Sequence, residues 1–155
     1  MLQDLITELA KQSIHIIVVG GAVRDFLRGQ QAKDFDCEVF GCDSIEQLIQ
    51  LLKPYGPVNE VGKAFSVVKC KLEDHVIDFA LPRLDKKIGD GHKGFDVTHD
   101  SRLSFEEAAS RRDFTVNSMG YDLINDCILD PFNGQKDLEN KILRHINSAF
   151  SEDPL

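Results

Sequence analysis

The chain has 155 residues, of which 42% are hydrophobic, and its formal net charge is −8. This length suits one domain with an ordinary buried core. The acidic balance excludes an overall basic nucleic-acid-binding surface, so any nucleic-acid partner needs a local basic site or another domain.

Helices and strands alternate in the first part of the predicted fold. Helical spacing of leucines predicts a first helix up to about Gln12, and the β-branched run "IHIIVV" (14–19) predicts a buried strand. The next segment, "GGAVRDFLRG" (20–29), predicts a turn followed by a helix. We expect this helix to direct three apolar side chains inward, those of Val23, Phe26 and Leu27.

The middle of the chain predicts a strand, a capped helix and a hairpin. The strand is "DFDCEVF" (34–40), and the helix begins after Ser44 and stops before Pro54. Two further strands, 65–72 and 75–81, are joined by a short turn and form a hairpin.

The last third is predicted from its loops and caps. The segment rich in Gly, Lys and Asp, 85–101, predicts a mobile loop, and 104–122 predicts a helix that starts with a capping box. The final segment, 127–146, predicts a strand, a turn, a short helix and another strand. This order predicts an α/β or α+β fold in which helices flank a short mixed sheet.

The segment "DFD" raises the possibility of a metal site. Side chains alternate along a strand, so Asp34 and Asp36 share a face, with Cα atoms about 6.6 Å apart. Two carboxylates at this spacing can converge on Mg²⁺, which prefers hard oxygen ligands. The alternative is a solvated strand face. Glu38 shares this face and is either an acid that supports the metal ligands or a solvated acid. Asp78, in the predicted hairpin, is either a third carboxylate of the site or an ordinary strand-end acid.

Two other segments favour binding of a phosphate. Gly20 and Gly21 follow an apolar strand and precede a helix, where backbone N–H groups accept an anion and Arg24 adds a guanidinium. The same pattern is often only a turn. In "RRDFTVNSM", Arg112 can reach a triphosphate with Asp113 holding it in place, and Asn117 lies one turn further on. The alternative there is a surface ion pair, worth about 0–1 kcal/mol.

The remaining reactive residue types point to no second chemistry. The four cysteines have neither CxxC pairing nor zinc spacing, which favours reduced thiols in a cytoplasmic protein. We expect Cys37 to face the core, opposite Asp36. His92 lies in the Gly-rich loop, where it can touch a substrate. No apolar run approaches ~18 residues, so we expect no membrane partner.

Five motifs in order resemble those of the class II tRNA nucleotidyltransferase and bacterial poly(A) polymerase family. They are "GGAVRDFLRG", "DFD", "RRDFTVNSM", "DPFNGQKDL" and "SEDP". The resemblance implies a polymerase-β-like catalytic head that transfers a nucleoside monophosphate from CTP or ATP to the 3′ end of tRNA, with Mg²⁺ as cofactor. It assigns metal binding to Asp34 and Asp36, triphosphate contact to Gly21 and Arg24, and nucleotide contact to Arg112. It also matches Asp153 to the acid of a base-selecting motif.

Two alternatives and a domain boundary accompany this interpretation. A poly(A) polymerase shares the motifs, and a nucleotide-binding module without catalysis is a rival from another class. We expect residues 1–150 to form the catalytic head and 151–155 to begin a neck domain of a longer protein. Because the chain is acidic, we expect tRNA to be held mainly by such further domains.

Overall fold

The computed structural model describes residues 1–61, 67–87 and 95–146. Five α-helices form within these residues: α1 Leu2–Lys11, α2 Gly21–Leu27, α3 Ile45–Leu52, α4 Phe105–Ala109 and α5 Gly134–Glu139. The same part of the chain forms nine strands: β1 His15–Val19, β2 Phe35–Phe40, β3 Val58–Val61, β4 Val67–Leu72, β5 His75–Ala80, β6 Arg83–Lys87, β7 Phe95–His99, β8 Gly120–Asp122 and β9 Cys127–Leu129. Short 3-10 turns occur at Lys53–Tyr55 and Thr115–Asn117.

Seven of these strands form one mixed sheet in the order β3-β4-β5-β2-β1-β8-β9, and β6 pairs with β7 separately. Within the large sheet β2 pairs with β5 in parallel, whereas the neighbouring pairs β1–β2 and β4–β5 are antiparallel. The prediction of a short mixed sheet flanked by helices is confirmed. The parallel pair brings together two segments that are far apart in the chain.

The two faces of the sheet pack against different helices. One face buries Cys37 and Val39 of β2 among apolar residues of α1 and α3. The other face buries Ile17 and Val19 of β1 with Phe40 and Ala108, so α4 covers that side. Because side chains alternate along β2, Asp36 and Glu38 lie on the α4 side.

Several local predictions are confirmed. The Ser44 hydroxyl accepts a hydrogen bond from the Gln47 N–H at the start of α3. Ser104 and Glu107 form the expected capping box at the start of α4. The predicted hairpin is also present, since β4 and β5 pair from Leu72↔His75 onward.

The predicted inward position of Phe26 is wrong, since 68% of that residue is exposed. Helix α2 has only seven residues and buries Ala22 and Val23 in its first half. The apolar pattern marks one side of a helix, but it does not indicate where the covering elements end.

The predicted elements after residue 84 need correction in three places. The expected loop 85–101 contains the end of β6 and the whole of β7, and its residues 88–94 lie outside the described residues. The expected helix 104–122 ends at Ala109, and β8 begins at Gly120. In place of the expected last strand there is an isolated bridge between Phe114 and His145. In the last two cases pairing with a distant segment overrides the local pattern, whereas β6 and β7 pair with each other.

Cys37 provides a test of this packing. Burial, with smaller contributions from Asp36 and Asp78, raises the pKa of its thiol to about 12. We predict that iodoacetamide at about pH 8 labels the exposed Cys127 and leaves Cys37 unmodified until the protein is unfolded, because the thiolate is the nucleophile. Peptide mass spectrometry of folded and denatured samples measures this, and equal labelling rates in the folded protein would contradict it.

Candidate active site

Three charged residues form a row across the centre of the sheet. Asp36 in β2 is the register partner of Asp78 in the parallel strand β5, and Asp78 is the partner of Lys69 in β4. The Lys69 ammonium donates to both carboxylate oxygens of Asp78, at 2.7 and 2.8 Å. Asp34 lies in the exposed segment just before β2. The predicted pairing of Asp78 next to Asp36 is therefore present.

The pKa of Asp36 is raised above its ordinary value. Partial desolvation of the carboxylate is the main cause, although the residue as a whole is exposed, and the negative charges of Asp78 and Asp34 add to it. Arg112 and Lys69 act in the opposite direction. Like charges close together disfavour the ionised form. Partial burial and like charge therefore make the ionised form of Asp36 less favourable than that of an isolated, solvated aspartate.

The donor atoms at Asp34 and Asp36 fit a hard divalent cation. Both side chains offer carboxylate oxygens, which suit Mg²⁺ better than softer metals. Among the described residues there is no group of three or more His, Cys, Asp or Glu side chains arranged to hold a metal ion. The two aspartates would therefore depend on oxygens from a nucleotide or from water to complete a coordination shell.

A glycine turn at the end of β1 faces two arginines. Gly20 has φ +72°, a conformation that favours glycine. A Cβ atom placed on Gly20 would lie 3.5 Å from Arg112 Nη1, and one placed on Gly21 would lie 3.3 Å from Arg24 Nη2. The bare backbone and the two guanidinium groups together form a surface suited to phosphate oxygens.

A chain of hydrogen bonds holds Arg24 in place. Its Nη1 donates to Asn117 Oδ1 at 2.7 Å, and its Nε donates to Asp25 Oδ1 at 3.0 Å. The Asn117 amide donates in turn to Asp113 Oδ1 at 3.3 Å, and that oxygen also accepts the Phe114 N–H at 2.6 Å. Asn117 therefore orients Arg24 by a direct hydrogen bond, and Asp113 does so through Asn117.

Arg112 binds a different acid from the one expected. The sequence suggested that Asp113 holds it, but Arg112 Nη2 donates to Glu38 Oε1 at 2.7 Å. Glu38 is only 2% exposed, so of its two interpretations, an acid that supports the site or a solvated acid, the solvated one is wrong. The segment that carries Arg112 is not helical, since α4 ends at Ala109. The chain turns there and brings the arginine over β2.

A second layer of polar contacts supports the Thr115–Asn117 turn. The buried carboxylate of Asp137 in α5 accepts from Thr115 Oγ1 at 2.7 Å and from Arg144 Nε at 3.0 Å. Gly134 packs against the same turn, because a Cβ there would collide with the Thr115 carbonyl oxygen. The motif "DPFNGQKDL" thus stabilises the turn that holds Arg24.

Residues 16–144 match the family model described as the poly A polymerase head domain. The chain belongs to this family. The resemblance drawn from the five motifs is confirmed, and with it the polymerase-β-like head fold. The head domain of this chain joins a row of carboxylates to a glycine turn with two arginines.

Individual relatives give the same result. A Multifunctional CCA protein from Xylella fastidiosa (strain 9a5c) is 43% identical over 138 residues, which are 89% of this chain and 31% of that protein. The solved structure of a CCA-adding enzyme, apo form II, has a TM-score of 0.78 at 26% identity and covers 97% of this chain and 35% of its own. A tRNA nucleotidyltransferase complexed with a primer tRNA and an incoming ATP analog has a TM-score of 0.74 at 27% identity, covering 97% and 41%. This chain spans about a third of the length of the curated relatives it matches.

Two residues predicted from the sequence cannot be placed, because Asp153 and His92 lie outside the described residues. One residue of the site, Lys69, and one contact, between Glu38 and Arg112, were missed. Lys69 was open to prediction, because a two-residue turn at Glu73 and Asp74 pairs it with Asp78 by counting along the hairpin. The pairing of Glu38 with Arg112 spans 74 positions and has no local signal.

Among the described residues no helix is long and apolar enough to cross a membrane.

Asp137 allows a test of the supporting layer. Hydrogen bonds from Arg144 and then Thr115 hold the pKa of its carboxyl below the ordinary value of 3.8. A lowered pKa in the folded state stabilises the protein above the unfolded pKa, and this contribution is lost as the pH falls through the folded pKa.

We predict that Asp137→Asn lowers the free energy of unfolding most at about pH 7, and that its deficit relative to wild type shrinks below about pH 4. Urea unfolding at several pH values measures the difference. Glu139→Gln removes an exposed acid from the same helix and serves as the control. A deficit that does not change with pH would refute the role of the Asp137 charge.

Proposed function

We propose that this chain is the catalytic head of a template-independent RNA nucleotidyltransferase that transfers CMP and AMP from CTP and ATP to the 3′ end of tRNA. The observation that carries this proposal is the proximity of Arg112 to both parts of the site. Arg112 lies beside Gly20, and its positive charge also opposes the rise in the pKa of Asp36. A triphosphate bound at the glycine turn would therefore lie next to the carboxylate row. The relatives described as a Multifunctional CCA protein and as a CCA-adding enzyme support this reaction over other phosphoryl transfers.

In this proposal the arginines and glycines bind the triphosphate. Gly20 and Gly21 allow phosphate oxygens to approach the backbone, and Arg24 and Arg112 neutralise their charge. Asp113 and Asn117 orient Arg24 through the observed hydrogen bonds. Most of the rate acceleration in such transfers comes from positioning and charge stabilisation.

Asp34 and Asp36 would hold Mg²⁺, which when bound supplies charge neutralisation at the α-phosphate and a lower pKa of the primer 3′-hydroxyl. The family in general uses divalent metal ions. The carboxylate oxygens of Asp34 and Asp36 suit Mg²⁺ because this ion prefers hard oxygen ligands. Asp78 is the third carboxylate of the proposal. Lys69 fixes it beside Asp36, where its oxygens can accept the hydrogen bond of the attacking hydroxyl.

The location of the reaction, the division into domains and the binding of tRNA are further parts of the proposal. We propose that the reaction takes place in the cytoplasm, with residues 1–150 as head and 151–155 as the beginning of a neck in which Asp153 helps to select the base. The net charge of −8 implies that the tRNA is gripped mainly by other domains.

The second candidate is a poly(A) polymerase, which is favoured by the description of the matching family model. Both candidates use the same triphosphate and carboxylate groups, so the head alone does not separate them. The difference is in the nucleotides that are added.

The metal-binding role predicts the behaviour of an Asp36→Asn variant of the full-length protein. Loss of one carboxylate charge at the metal should lower nucleotide incorporation by about 10²–10³-fold or more. The assay measures labelled CMP added to a tRNA that lacks its terminal CCA. Asp43→Asn removes an exposed acid just beyond the other end of β2 and should leave incorporation unchanged. Near-normal incorporation by Asp36→Asn would rule out its metal role.

The choice of nucleotide distinguishes the candidate functions. We predict that the full-length protein adds C from CTP, followed by A from ATP, to a tRNA that lacks CCA. Long A tails without C would establish the poly(A) polymerase instead. Binding of CTP and ATP without any incorporation would establish a nucleotide-binding module. Gel analysis of the products with each nucleotide alone and with both together gives the answer.

A further inference from the structure

Glu38 is a carboxylate inside the sheet. It lies on β2 between its register partners Ile17 of β1 and Ala80 of β5, which are both apolar. Only 2% of the residue is exposed. A buried charge is costly unless it is paired and hydrogen-bonded. A carboxylate at this position therefore depends on cationic partners from outside the sheet.

Those partners come from the segment after α4. Arg112 Nη2 donates to Glu38 Oε1 at 2.7 Å, and Arg111 Nη2 lies 3.7 Å from the same oxygen. Both arginine side chains are only 19% exposed. Hydrogen bonds between ionised groups are about twice as strong as neutral ones. Glu38 thus restricts two long side chains that would otherwise sample many rotamers.

The other end of the Arg112 guanidinium group faces the glycine turn. Its Nη1 would lie 3.5 Å from a Cβ atom on Gly20, while its Nη2 binds Glu38. The planar group therefore spans the gap between β2 and the turn. Because the guanidinium group is rigid, fixing Nη2 also fixes the direction in which the remaining N–H groups point.

We propose that Glu38 is a positioning residue for the nucleotide triphosphate and that it acts through Arg112. The inference rests on the proposed function, since it assumes that a triphosphate binds at the glycine turn. Glu38 holds the guanidinium group in its binding orientation before the nucleotide arrives. Binding of the nucleotide then does not include the entropic cost of ordering this side chain. Because every nucleoside triphosphate has the same phosphates, the effect is independent of the base.

A double-mutant cycle tests the proposal. CTP and ATP affinities are measured with Mg²⁺ present for wild type, Glu38→Gln, Arg112→Met and the double variant of this chain. Glu38→Gln keeps the shape but weakens the charge-assisted hydrogen bond, so it should weaken binding of both nucleotides about tenfold. In the Arg112→Met background the same change should have no further effect, because the group through which Glu38 acts has gone.

Asp122 offers a matched control. It is a carboxylate 6% exposed on the same face of the sheet, where it accepts hydrogen bonds from Asn125 and Ile124. Asp122→Asn should lower the melting temperature without weakening CTP or ATP binding. Melting curves of all variants show which of them are folded at the temperature of the binding assay.

Four outcomes would overturn the proposal. If Glu38→Gln weakened nucleotide binding equally in the wild-type and the Arg112→Met backgrounds, Glu38 would not act through this arginine. Tighter binding by Glu38→Gln would show that Glu38 only reduces the positive charge of the site. If Glu38→Gln weakened the binding of CTP alone or of ATP alone, Glu38 would act on recognition of the base and not of the triphosphate. Absence of CTP and ATP binding by the wild-type chain would overturn the proposed function as well, whereas the other three outcomes leave it standing.

Discussion

The parallel pairing of β2 with β5 places Asp36 beside Asp78, and the electrostatics of the site follow from this contact. Two carboxylates in adjacent register on one face of a sheet repel each other. The head domain offsets the repulsion from two sides, with Lys69 on Asp78 and the field of Arg112 at Asp36. The pKa of Asp36 stays raised nevertheless, mainly because its carboxylate is partly desolvated and also because Asp78 and Asp34 are negatively charged. A cation bound at this face would relieve the remaining repulsion.

Arg112 connects the sheet to the glycine turn. Its guanidinium group meets the buried Glu38 on one side and Gly20 on the other. A buried ion pair of this kind is weak evidence for stability, because desolvation offsets much of the attraction. Its value here is geometric, since it fixes a cationic group at the junction of two elements.

The second arginine is held by a longer series of contacts. Asp137 of α5 fixes the Thr115–Asn117 turn, and Asn117 of that turn fixes Arg24. Three segments that are distant in sequence therefore determine where one guanidinium group lies. Positioning of this kind matters because small displacements of binding groups are costly in catalysis.

The predictable part of the fold is the part with strong local signals. The alternation in "DFDCEVF" predicted β2 and the inward position of Cys37, and Ser44 and Ser104 predicted two helix starts. The helix expected over 104–122 was wrong because that segment finds its partners elsewhere, including the bridge between Phe114 and His145. Local propensity is a weak prior that tertiary contacts override.

The sequence by itself determined the chemistry available to this protein: two aspartates on one strip, a pair of glycines before a helix, and arginines in an ordered set of motifs. These are properties of residue type and spacing, which the chain carries whether or not it is folded. Only the tertiary structure decided which charges meet. Glu38 with Arg112 and Asp36 with Asp78 are contacts between residues 74 and 42 positions apart (112 − 38 and 78 − 36). Strand pairing and packing set such distances, and no local pattern encodes them.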